Sequence, residues 1–186
     1  YSFPTSDGRR FVGATPELLV ARAGRTASAH PLAGTVALSP DADEMDYQDW
    51  LLGSLKNRHE HAVVAREVAD KLGTAYDDVR ADSEPHILRL RTLAHLGTWV
   101  HAESEHEVDT PDALEILRLV HPTAAVGGIP RDEAYRTIVE LEGIDRGVYA
   151  GPLGWMDARG DGEWWVGFRG VLLDETSFEA WAGAGI

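Results

Sequence analysis

The sequence predicts an α+β fold in which large, mostly antiparallel sheets pack with helices. Three observations carry this. Strand-like segments fall in both the first and the last third around a helical middle. Short turn signals join neighbouring strands as hairpins. The regular strand–helix alternation that builds a doubly wound sheet is missing.

Arg10–Gly13 and Leu18–Ala21 read as strands, and Ala23-Gly24 turns the chain into a further strand over Arg25–Ala29. Pro31 and Gly34 punctuate a loop, and the acidic stretch Ser39–Asp49 contains helix-start chemistry. A long helix is predicted over Ser54–Leu72, where Val64, Val68 and Leu72 recur at four-residue spacing. Ile87–Thr92 and Leu96–Ala102 read as strands. Asp109-Thr110-Pro111 places a capping side chain and then a proline at a helix start, with the helix running to Val120. The segment from His121 to Pro130 brackets small apolar residues with two prolines and two glycines, which makes a rigid turn suited to a pocket wall. A helix over Asp132–Glu142 stops before Gly143. Val148–Asp157, Gly160-Asp161-Gly162 and Glu163–Leu172 then form a hairpin, and Phe178–Ala182 is a last strand.

At 186 residues the chain has the length of one domain. Its formal net charge of −14, from 31 acids against 17 bases, opposes nucleic acid and anionic membrane surfaces as partners. The same charge opposes a dianionic small molecule, so binding one would need a local cation. No apolar run is long enough to span a bilayer. The absence of cysteine excludes disulfides and thiolate metal sites and fits a cytoplasmic protein. The first residue is Tyr1 rather than Met, so the true N-terminus is expected upstream.

Several residues have chemical potential. In His59-Glu60-His61 the zincin pattern fails, because Val63 stands where the second histidine belongs. Glu60 lies along the apolar stripe of its helix, so it is either a solvated edge residue or a ligand for a hard cation such as Mg²⁺. Arg169, among aromatics, is either a snorkelling surface residue or a fork for a carboxylate. Glu17 is either an exposed strand-end acid or a buried carboxyl able to hold its proton near neutral pH. His95 reads by default as a hydrogen-bonded core histidine. Gly183 and Gly185 are a backbone-only surface rather than a dinucleotide fingerprint.

The order and spacing of F-V-G-A-T-P-E-L-L-V, P-L-A-G-T, S-L-K-N-R-H-E-H, H-L-G-T, H-P-T-A-A-V-G-G-I-P, R-G-V-Y-A-G-P-L-G-W, G-D-G-E-W and A-G-A-G-I resemble the chorismate-utilising enzymes, from residue 11 to the end. Within that family the pattern is most like isochorismate synthase. The resemblance implies an anthranilate synthase component I-like fold, incomplete here, with residues 1–186 as the central and C-terminal part of one chorismate-binding catalytic domain. It implies that Glu17 is the general acid that protonates the departing C4 hydroxyl of chorismate. Gly34 and Thr35 would line the pocket near the ring, Glu60 would hold Mg²⁺, and His95 would hydrogen-bond near the reacting carboxylate. Tyr149 and Arg169 would bind the enolpyruvyl carboxylate with help from the Gly183 amide. The protein would act as a monomer on this small molecule in the cytoplasm, feeding menaquinone, siderophore or salicylate synthesis.

Two positions choose among relatives. Ala33 stands where aminodeoxychorismate synthases carry a nucleophilic lysine, and Ala125 where anthranilate and salicylate synthases carry threonine. The chain also departs from the family pattern. Its two lysines, Lys56 and Lys71, do not match the family's general base, Asn57 replaces a carboxylate near the metal ligand, and the sequence stops at Ile186, ahead of the family's helix bearing a second metal glutamate. Residues 1–186 alone are therefore expected to be inactive. A salicylate or anthranilate synthase, or a non-catalytic remnant that retains the chorismate pocket, is the alternative.

Overall fold

Alternating apolar residues and hairpin turns build antiparallel sheets, seen here in a computed structural model that describes residues 1–39, 44–107 and 110–183. In chain order the strands and helices begin with β1 (Ser2–Pro4), β2 (Arg10–Gly13), β3 (Leu18–Ala23), β4 (Thr26–His30), β5 (Leu32–Ala37), α1 (Glu44–Gly53) and α2 (Leu55–Leu72). There follow β6 (Asp78–Ala81), β7 (His86–Arg89), β8 (Leu93–Gly97), β9 (Val100–Glu103), α3 (Ala113–Val120), α4 (Ala124–Gly127) and α5 (Arg131–Glu142). The last elements are β10 (Pro152–Met156), β11 (Gly162–Val166), β12 (Gly170–Leu173) and β13 (Phe178–Ala180).

Among the described residues the strands form a six-stranded sheet ordered β10-β11-β3-β4-β9-β6, a four-stranded sheet β1-β2-β12-β13, and a three-stranded sheet β5-β8-β7. Each pairing is antiparallel. Helices α2 and α3 cover one face of the six-stranded sheet, where Val68 and Leu72 meet Val20, Ala29, Val100, Ile116, Val120 and Val166 in the main core. A smaller core of Leu38, Tyr47, Leu51, Ala94 and Leu96 lies under α1. Helix α5 has no buried residue, and Tyr135, Val139 and Leu141 are exposed along it.

Three expectations are corrected. The PLAGT segment is not a loop: it is strand β5 with a bulge between Ala33 and Thr35, where Gly34 takes a φ of 76°. An extra residue in a ladder is accommodated by a glycine of positive φ, so the glycine marks a bulge rather than a break. The predicted single strands Leu96–Ala102 and Glu163–Leu172 are each two strands in different sheets, because the chain crosses between sheets at Thr98-Trp99 and at Gly167–Arg169. The cap proposed at Asp109 lies outside the described residues. Helix α3 starts at Ala113, where Asp112 caps the Leu114 and Glu115 amides at 2.9 and 2.8 Å and Glu115 returns the bond to the Asp112 amide. Such a reciprocal box outcompetes a proline start, and Pro111 falls one residue before the cap.

That helix start is tied to the β10–β11 hairpin. Buried Arg22 binds Asp161 at 2.6 Å and the Pro111 carbonyl at 3.1 Å, and the Ala113 amide donates to the Gly160 carbonyl. No helix among the described residues is long and apolar enough to cross a membrane.

Candidate active site

Where β3 begins, its register slips against both neighbours: between Trp164 and Trp165 of β11, and, against β4, between Leu18 and Ala21 of β3 itself. Bulges re-aim side chains at strand ends, and here Glu17, just before the strand, is turned inward to 6 % exposure. Its backbone is held by the Val166 amide, which donates to the Glu17 carbonyl at 3.1 Å. The carboxyl oxygen Oε1 is buried without a hydrogen-bond partner. Desolvation pushes this carboxyl up to about 8, with the Arg169 charge opposing the rise. A buried carboxylic acid that keeps its proton at neutral pH can act as a general acid.

Arg169 lies between β11 and β12 with a φ of 52°. A left-handed conformation is costly for a residue with a Cβ, and it reverses the chain just before β12 pairs with β2. The guanidinium meets His95 Nε2 through Nη2. Arginine only donates, so Nε2 is the acceptor and His95 carries its proton on Nδ1. Nδ1 then donates to Thr35 Oγ1 at 2.9 Å across the β5–β8 ladder, where Thr35 and His95 are register partners. Burial, and then the Arg169 charge, push His95 down to about 4, so the ring is neutral. Thr35 accepts from the ring and keeps its own hydroxyl proton free to donate outward. Partial burial lowers the Arg169 guanidinium from its ordinary value, with Glu17 opposing.

The structure thus joins Arg169, His95 and Thr35 by hydrogen bonds, with Glu17 within electrostatic reach of Arg169. Gly34 adjoins Thr35 and packs against α2: a Cβ built on it would stand 3.1 Å from the Asn57 Cβ. Tyr149 and Gly183 form a second contact beside Phe168, the residue before Arg169. The Tyr149 and Phe168 ring centroids are 5.6 Å apart, and a Cβ on Gly183 would fall 2.5 Å from the Tyr149 hydroxyl. Ala125 stands apart from both, exposed on α4. A cavity of about 380 Å³ on the six-stranded sheet, lined by Ala21, Arg22, Ser28, Arg80 and His101 among others, contains none of the predicted site residues.

Glu60 lies at the margin of the buried stripe of α2 rather than within it. The stripe continues through His61 to Asn57, and Lys56 Nζ pairs with Glu60 Oε1 at 3.4 Å. Among the described residues no three His, Asp or Glu side chains are grouped to hold a metal. Mg²⁺ asks for less, since it accepts one or two carboxylates and completes its shell with water and an anionic substrate. Glu60 supplies one carboxylate. Asn57, one turn earlier, has a buried side-chain amide nitrogen with no partner; the opposite amide orientation puts an oxygen ligand there. Glu60 and Asn57, three residues apart on α2, thus offer oxygen-donor chemistry of the kind a hard cation takes.

Sequence reasoning missed a histidine cluster at the crossing between the six-stranded and three-stranded sheets. His30 and His86 meet Nε2 to Nε2 at 3.0 Å, and His61 bonds the Thr98 hydroxyl at 2.6 Å. His61 is the second histidine of the HEH triplet, and its position three residues before Val64 placed it on the buried face. Burial pushes both His30 and His61 down to about 4, so they act as neutral hydrogen-bonding groups.

The profile of the family described as chorismate binding enzyme matches residues 1–186. The vibriobactin-specific isochorismate synthase of Vibrio cholerae is 39% identical over 100% of this chain and 47% of its own length. Isochorismate synthase DhbC of Bacillus subtilis is 39% identical over 98% of this chain and 46% of its own length. Among solved structures, one described as a 2,3-dihydroxybenzoate-specific isochorismate synthase, DhbC, from Bacillus anthracis superposes with a TM-score of 0.87 at 35% identity, covering 95% of this chain and 48% of that one. Anthranilate synthase component I from Streptococcus pneumoniae gives 0.78 at 27% identity, over 94% and 38%. The chain spans about half the length of the curated relatives it matches. With its whole length matched by the family profile, the fold shared with both synthases and identity near two-fifths to the isochorismate synthases, this chain belongs to the chorismate binding enzyme family.

Proposed function

We propose that residues 1–186 form the acid and carboxylate-binding part of a Mg²⁺-dependent isochorismate synthase. The observation that carries this reading is the buried, protonated Glu17 beside an arginine that is itself held by a neutral histidine. Isochorismate synthases among the relatives support the choice of reaction.

In this reading the C4 hydroxyl of chorismate leaves as water with the Glu17 proton. Another water adds at C2, the ring double bond shifts, and a base outside this chain takes the proton of the attacking water. One water enters and one leaves, so the net change is an isomerisation. Hydroxide is a poor leaving group, which is why an acid held protonated at neutral pH is needed. Arg169 and Tyr149 bind the enolpyruvyl carboxylate with the Gly183 amide, and Thr35 and His95 face the ring with Gly34 leaving room for it. Glu60, with Asn57, would hold Mg²⁺, which when bound neutralises and orients the ring carboxylate. Ala125 in place of threonine favours isochorismate as the released product.

Incubating the complete protein with chorismate and Mg²⁺ and resolving the products tests the reading. Isochorismate alone is expected. Salicylate with pyruvate, or an ammonia-dependent amine, would assign a sister activity, and no conversion would leave a chorismate-binding remnant.

A further inference from the structure

Helix α4 is a single turn, and its own N-cap does not serve it. Thr123 makes no capping hydrogen bond, and its hydroxyl is buried without a partner. The cap comes instead from α2. Glu67 Oε2 accepts from the Ala124 amide at 2.6 Å, while Glu67 Oε1 pairs with Lys71 Nζ at 2.7 Å. The same ammonium donates to the Val120 carbonyl at 3.1 Å and to the Pro122 carbonyl at 3.4 Å. One ion pair on α2 therefore holds the end of α3, the 121–123 linker and the start of α4. Glu67 and Lys71 are 17% and 23% exposed, so this pair is far less solvated than an ordinary surface i,i+4 pair. On the other side of α4, Arg146 Nη1 donates to the Val126 carbonyl at 3.2 Å, and the Arg146 carbonyl accepts from the Tyr149 amide at 2.9 Å.

Ala125 sits between these two attachments. We propose that Glu67 and Lys71 are positioning residues, clamping the 121–128 segment onto α2 so that Ala125 is fixed relative to Glu60 and Asn57 on the same helix. The role in turnover rests on the isochorismate synthase reading. It also accounts for Lys71 without making it a base, since its ammonium is committed to a carboxylate and two carbonyls. In that reading a segment displaced by even an ångström misaligns the ring with the acid, while Arg169, held by His95, stays in place.

The test uses the complete protein with Glu67→Gln, Glu67→Asp and Lys71→Met, read by steady-state kinetics on chorismate and by amide hydrogen exchange of peptides spanning 121–128 and 61–72. Glu67→Gln is expected to speed exchange in 121–128 about tenfold with 61–72 unchanged. It should also lower kcat about tenfold with KM within about threefold. Glu67→Asp, which keeps the charge, should recover part of the kcat loss, and Lys71→Met should follow Glu67→Gln. Unchanged exchange in 121–128 would overturn the clamp. Equal losses of protection in both peptides would show a merely structural pair, and faster exchange with unaltered kcat would remove the positioning role. If the unmodified protein fails to convert chorismate, the isochorismate synthase reading falls, whereas the exchange measurement needs no turnover and decides the clamp by itself.

Discussion

Replacing Glu17 by glutamine removes its titratable proton without changing shape, and the structure sets both the sign and the size of the outcome. The carboxyl rises from 4.5 to about 8 through burial, so the folded chain binds more protons than the unfolded chain between those values. Stability therefore falls as pH rises through that window and levels off above it. At about 1.4 kcal/mol per pH unit, the ionised group costs the fold roughly 5 kcal/mol once titration is complete. Glutamine carries no such penalty. Urea unfolding of the complete protein, followed by tryptophan fluorescence, should show Glu17→Gln gaining several kcal/mol on the wild type between about pH 5 and about pH 9. Over the same range wild-type kcat should decline as the acid ionises, while Glu17→Gln should lose about a hundredfold or more of kcat below about pH 7, a deficit that narrows as the wild-type acid ionises. Stability curves that run parallel across this range would refute the buried-acid assignment. A Glu17→Gln enzyme with near-normal kcat would refute the catalytic role even if the stability curves diverge.

Three further outcomes follow from the same geometry. Arg169→Lys keeps the charge but loses the fork that serves His95 and a carboxylate together, so KM for chorismate should rise about tenfold with the melting temperature little changed. Gly183→Ala places a methyl group 2.5 Å from the Tyr149 hydroxyl, so the ring or the backbone at 183 must shift, and should raise KM several-fold in the same assay. A polypeptide of residues 1–186 alone should show no conversion of chorismate by product chromatography, because Lys56 is paired with Glu60 and Lys71 with Glu67 and neither is placed as a base.

The site was legible where a residue's chemistry depends on local sequence. The four-residue stripe of α2 placed the helix from Ser54 to Leu72 correctly, and the hairpin around Gly160 and the stop at Gly143 were equally local. What the sequence hid is what long-range pairing decides. Nothing in Thr35 or His95 announces that they face each other across β5 and β8, 60 residues apart. Glu17 could be assigned as buried only once β11 closed over it. Gly34 read as a break because a bulge and a loop look alike until a partner strand is known. Nothing in the i,i+4 spacing of Glu67 and Lys71 marks them out, because the carbonyl and the amide they bind lie 49 and 57 residues further along the chain.

An acidic protein that binds a dicarboxylate must keep its few cations from being neutralised by its own acids. The chain carries 31 acids against 17 bases, and several of its arginines are matched to a nearby carboxylate, as Arg9 to Asp7 and Arg146 to Glu142. Arg169 is held differently: it meets a neutral histidine, and the acid nearest to it in effect is Glu17, which burial keeps protonated. The burial that makes Glu17 a proton donor thus also leaves Arg169 with its full charge for a substrate carboxylate. The two effects are coupled. A carboxylate arriving at Arg169 cancels the charge that had been lowering Glu17, so anion and proton each favour binding of the other. In the proposed reaction the substrate thereby strengthens the protonation of the acid that will act on it. Ionising Glu17 above about pH 8 would cost the site its proton donor and its carboxylate affinity together.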